Sequence, residues 1–102
     1  MYTKLAIKNW VNSRSFSVIL DEIITHCIEG IDAYCGMRDR GFPLSFISPL
    51  NVESYIDSYM MVTSFPIVLR NGMKAEIMKK YGSLLHKKLE ERLRNNNLNN
   101  DF

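Results

Sequence analysis

The sequence predicts an all-α fold, a compact bundle of four to five helices, on three observations. Apolar residues recur with a period near 3.6 in three stretches, 17–35, 52–63 and 73–94. Capping and breaking residues, among them Gly36, Pro43, Pro49 and Asn51, fall between those stretches. Only one short run, at 67–77, has a β-hairpin as an alternative reading, and the chain offers no further strand to complete a sheet around it.

The first element is a short helix over residues 3–12, "TKLAIKNWVN", with Thr3 as N-cap and Asn12 and Ser13 as its stop. The second, over 17–35, is the most regular. Ser17 can cap it, and Asp21 and Glu22 suit the positive end of its dipole. Leu20, Ile23, Ile24, Cys27, Ile28, Ile31, Tyr34 and Cys35 fall on one stripe, with Asp21, Glu22, Thr25, His26, Glu29 and Asp32 opposite. Gly36 is its expected stop.

Residues 36–50, "GMRDRGFPLSFISPL", must be a connection, because their glycines and prolines forbid a continuous helix. Phe42, Leu44, Phe46, Ile47 and Leu50 make it apolar for a loop, so it either packs on the core or presents an adhesive surface. Asn51 then caps a helix over 52–63, with Met61 on its polar side. At 65–77, Asn71-Gly72 is a hairpin signal and also a helix stop. A short helix is the preferred reading and a small hairpin at 67–77 the alternative. A long helix over 73–94 follows, where Gly82 costs about 1 kcal/mol relative to Ala. Residues 1–94 form a single helical domain, and the Asn-rich end, 95–102, is expected to be disordered. Trp10, Ile24, Cys27, Ile31, Ile56, Tyr59, Ile77 and Leu84 are the expected core.

With 102 residues the chain suits one small domain. No apolar run reaches the ~18–20 residues of a membrane span, and "MYTKLAIKNW" has no secretory h-region, so no membrane partner and a cytoplasmic location are expected. Cys27 and Cys35 lie on one helix about 12 Å apart, too far for a disulfide, which suits a reducing compartment. The net charge of +2 is unevenly spread. Residues 1–20 carry three bases and no acid, 21–57 carry seven acids against two arginines, and 73–95 carry seven bases against three glutamates. That pattern bears on partners rather than on fold.

Chemistry-bearing motifs are few. Glu22, His26 and Glu29 could offer metal ligands from one helix face, and His86 and Glu90 repeat the four-residue spacing. They project away from the apolar stripe, and the order is His-x-x-Glu rather than the paired Glu-x-x-His of bundle metal sites, so a solvated face is the better reading. Cys27 points into apolar surroundings that make a thiol inert. No phosphate loop, dinucleotide fingerprint or nucleophile elbow is present. No catalytic residue, cofactor or enzymatic activity is expected.

Two binding readings remain. In the first, another protein is the partner, met by Phe42, Leu44, Phe46 and Met61. Leu85, Leu89 and Leu93 would be the surface for a homo-oligomer, a dimer being favoured. In the second, a nucleic-acid regulator uses Lys4, Lys8, Lys79, Lys80, Lys87 and Arg94 against phosphates, although Glu76, Glu90 and Glu91 interrupt the basic stripe. A small helical domain with no catalytic motif and an Asn-rich end resembles accessory proteins of phages, plasmids and other mobile elements. That resemblance implies an inhibitor, immunity or regulatory role.

Overall fold

In a computed structural model the chain is an all-α bundle; residues 2–99 are described, with side chains over residues 5–98. The described residues form four helices: α1 (Tyr2–Val11), α2 (Phe16–Asp39), α3 (Val52–Val62) and α4 (Ile67–Asn99). No strand is present among them, so the hairpin alternative at 67–77 is excluded. The bundle measures 24 × 18 Å in cross-section and 53 Å along its length.

The core is built from rows of side chains spaced by four. Ile23, Cys27, Ile31 and Cys35 form the row of α2, Val52, Ile56 and Met60 that of α3. Met73, Ile77, Leu85 and Leu89 continue it on α4, with Tyr81 packed against them. Such rows are the ridges by which helices interlock. Helix α3 runs antiparallel to α2, since Glu22 meets Tyr59 and Gly30 meets Tyr55. At the α1–α2 junction, Trp10 stands edge-on to Phe16 at 5.4 Å and lies parallel to Phe65 at 6.5 Å. Phe16 stacks on Tyr81 at 5.8 Å, and the Tyr81 hydroxyl donates to the Val11 carbonyl at 3.2 Å.

Several boundaries differ from the sequence expectation. Helix α2 starts at Phe16 after Ser15, so Ser17 lies in its first turn, and it passes through Gly36 to end at Asp39. Its real stop is Gly41, at φ +89°, with Gly41 N–H donating to the Arg38 carbonyl and Phe42 N–H to that of Met37. This is a Schellman closure. Helix α3 ends the same way, with Ser64 N–H on the Met61 carbonyl and Phe65 N–H on that of Met60. There Ser64 occupies the left-handed position, at φ 56°. Asn51 caps α3 as expected, its Oδ1 accepting from Ser54 N–H at 3.3 Å.

The separate elements expected at 65–77 and 73–94 are one helix, and Asn71-Gly72 lies inside it. Gly72 sits under α1, where its Cβ would stand 3.4 Å from Ile7 Cδ1. Tertiary packing there overrides a local stop signal. Of the segment expected to be disordered, 95–99 continue α4 and residues 100–102 lie outside the described residues. What holds the end is Asp32 of α2, which accepts from Arg92 Nε at 2.8 Å, Arg92 Nη2 at 2.9 Å and Asn96 Nδ2 at 2.9 Å.

Of the expected core, Cys27, Ile31, Ile56 and Ile77 are buried, while Trp10, Ile24 and Tyr59 are partly so. Leu84 is exposed, and Leu85 and Leu89 are fully buried instead. The cause is the four-residue row of α4, which winds about 40° per step round the helix. Its early part packs on α1, near Gly72 and Tyr81, and its late part on α2, near Arg92 and Asn96. Following those neighbours carries the inward direction from Ile77 to Leu85 rather than to Leu84.

Candidate functional site

The connection 40–51 is a fixed platform. It begins on the Schellman closure at Gly41 and is pinned midway by Leu44, which is buried. Ile47 N–H donates to the Leu44 carbonyl at 3.0 Å. At its far end the Tyr55 hydroxyl donates to the Pro49 carbonyl at 2.8 Å. From this platform Phe46 projects with 82% of its surface exposed and Phe42 with 52%, and Ile47 is exposed beside them. Ordering such aromatic groups outward uncovers apolar area that a partner would bury.

A second apolar surface lies at the α3–α4 turn. Met61, Val62, Ile67 and Val68 are all exposed, Val68 at 89%. The sequence expectation included Met61 alone of these. In a continuous helix Ile67 and Val68 stand about 120° and 140° away from Met73, which is core. That phase relation was the available signal, hidden by treating 65–72 as a separate helix.

Between α2 and α3 runs a groove of about 490 Å³. Residues Val18, Asp21, Glu22, Thr25, His26 and Glu29 line it from α2, at spacings of three and one that define a single helix face. Tyr59, Val62 and Thr63 close the other side. The Tyr59 hydroxyl donates to Glu22 Oε2 at 2.6 Å, and desolvation together with that carboxylate pushes the phenol up to about 12. His26 Nε2 is 3.0 Å from Ser58 Oγ. Glu22 and His26 therefore tie α2 to α3 instead of turning towards a shared ion. No three His, Cys, Asp or Glu among the described residues are placed to hold a metal. His86 Nδ1 does meet Glu90 Oε1, at 2.7 Å, as an exposed pair on α4.

The other expected sites separate cleanly. Leu85 and Leu89 are core residues and Leu93 is half-buried, so they do not form an outer surface on α4. Leu44 likewise anchors its loop instead of presenting itself. Phe42, Phe46 and Met61 are exposed. Lys79, Lys80, Lys87 and Arg94 are exposed along α4 and Lys8 on α1. The side chain of Lys4 lies outside the described residues. Cys27 and Cys35 are unpaired and buried, and desolvation pushes the Cys27 thiol up to about 11. None of the helices over the described residues is long and apolar enough to cross a membrane.

Comparison with protein-family models, with curated proteins and with solved structures finds no match.

Proposed function

We propose that the chain is a non-enzymatic protein–protein interaction module. One observation carries this reading: the anchored 40–51 connection orders Phe42 and Phe46 outward rather than over the core. A loop that only covered a core would turn its aromatics inward, since each buries on the order of 150–250 Å². The protonated, desolvated Cys27 supports the non-enzymatic part, because it is not set up as a nucleophile. An inhibitor, immunity or regulatory role in a phage or mobile element is the narrower form of the proposal, and it rests on size and composition.

The test is affinity capture from a lysate of the native host, comparing the parent with Phe42→Asp/Phe46→Asp. Both side chains are exposed, so the variant should keep the parent's melting temperature. A specific partner should be enriched by the parent and lost by the variant. Equal recovery by both would remove the platform from the interaction.

Nucleic-acid binding is the second reading, favoured by Lys79, Lys80, Lys87 and Arg94, which are exposed and without an ion pair among the described residues. A gel shift at low salt, weakening steeply as salt rises, would support it. No shift at low salt would dismiss it.

A further inference from the structure

We infer that the α2–α3 groove is a docking site for a basic amphipathic helical segment of a partner protein. This deepens the interaction reading by adding a site and a partner chemistry to it. The lining of the groove includes Val18 and Val62, which are 61% and 74% exposed and stand at the end where the start of α2 faces the end of α3. Its α2 wall is acidic at both ends: Asp21 and Glu22 share one turn and Glu29 lies two turns further on, with Thr25 and His26 between, and neither Lys nor Arg lines the groove. Asp21 and Glu29 are exposed and make no ion pair among the described residues.

Charge complementarity selects the occupant. The whole molecule is net positive, at +2, so a cationic segment gains nothing from general attraction and must find the acidic groove locally. The exposed valine pair beside the anionic face of α2 matches a helix with leucine-like residues on one face and lysine or arginine on its flanks. Val18 to Glu29 spans about 16 Å, the length of three helical turns. The single Trp10 supplies a reporter, because it lines a smaller apolar cavity of about 250 Å³ that shares Glu22, Tyr59 and Thr63 with the groove.

The test titrates the full chain with a fluorescein-labelled Leu/Lys amphipathic helix of about 12 residues. A Leu/Glu helix of the same pattern and a scrambled Leu/Lys peptide with no apolar face serve as comparisons. The inference expects anisotropy to rise only for the patterned Leu/Lys helix, with a change in Trp10 emission. Asp21→Lys/Glu29→Lys should weaken binding by about tenfold or more, and the uncharged Val62→Ser should weaken it by removing apolar contact. Absence of binding, equal binding of the scrambled peptide, or binding unchanged in both variants overturns the assignment. Sedimentation of the protein alone identifies a rival occupant: a dimer that Asp21→Lys/Glu29→Lys dissociates would place a second copy in the groove and overturn it too. The interaction reading is judged separately by lysate capture. A partner lost with Phe42→Asp/Phe46→Asp but kept by Asp21→Lys/Glu29→Lys leaves that reading intact and removes the groove from it.

Discussion

Replacing Gly30 by alanine should destabilise the protein, although alanine is the better helix former. Gly30 lies in the middle of α2, where Tyr55 of α3 crosses it. An added Cβ would overlap Tyr55 Cε1 and stand 2.8 Å from Cδ1 and 3.3 Å from Cζ. The ring cannot simply swing aside, because its hydroxyl is held 2.8 Å from the Pro49 carbonyl. Forcing a methyl into a packed site costs about 1–3 kcal/mol, and losing the hydroxyl bond adds about 0.5–1.5 kcal/mol. The helix propensity gained returns about 1 kcal/mol. The net loss is about 0.5–3.5 kcal/mol, and each kcal/mol lowers the melting temperature of a domain this size by about 4–8 °C. Thermal and urea unfolding followed by circular dichroism measure it. A Tyr55→Ala background completes the cycle: there Gly30→Ala should stabilise, since the obstructing ring is gone. If Gly30→Ala melts at or above the parent temperature, the close approach of α2 and α3 through this glycine is wrong.

Gly36 and Gly82 should respond with the opposite sign. A Cβ at Gly36 meets nothing within 4 Å and one at Gly82 only Met78 Cε at 3.5 Å, so Gly36→Ala and Gly82→Ala should each raise stability by about 0.5–1 kcal/mol in urea unfolding. Ser64→Gly should also stabilise, by up to about 1–2 kcal/mol, whereas Gly41→Ala should lose a similar amount; midpoints unchanged from the parent in both would contradict the two Schellman closures. The Arg92 and Asn96 hydrogen bonds hold the Asp32 carboxyl below its ordinary value. Its contribution is therefore complete above the unfolded pKa of about 3.9 and is lost as pH falls through the lower folded value. Accordingly Asp32→Asn should be less stable than the parent at neutral pH, fray the end of α4 in hydrogen exchange, and match the parent in strong acid; a difference that grows on acidification would reverse this assignment. Finally, Cys27 and Cys35 should react with a thiol reagent only as fast as the protein opens, because both are buried and desolvation raises both thiols; immediate labelling of the native chain would place them elsewhere.

What the sequence could reveal depended on how local the deciding interaction was. The 3.6 period of α2 and the Asn51 cap are local, and both are found where expected. The polar face of α2 was legible as a face, but not as the wall of a groove, because the opposing wall comes from Tyr59 and Val62, more than thirty residues away. Gly36, Asn71 and Gly72 were misread as stops because each is a permissive signal that packing can overrule. The inward turn of Leu85 and Leu89 depends on α4 changing neighbours along its length, which a fixed 100° wheel does not encode. The apolar character of 42–50 was plain from composition. Its division into an anchor, Leu44, and presented groups, Phe42 and Phe46, needed the Pro49 and Gly41 constraints.

The 33-residue α4 gives the molecule its outline. A round domain of this chain length has a radius of gyration of about 13 Å, against 15.2 Å here. Elongated particles diffuse more slowly than spheres of equal mass, so a single copy will leave a sizing column early, displaced towards the position of a sphere twice its weight. Stoichiometry must therefore be read from absolute mass, by light scattering or sedimentation equilibrium, and an early elution peak alone would not signify a pair.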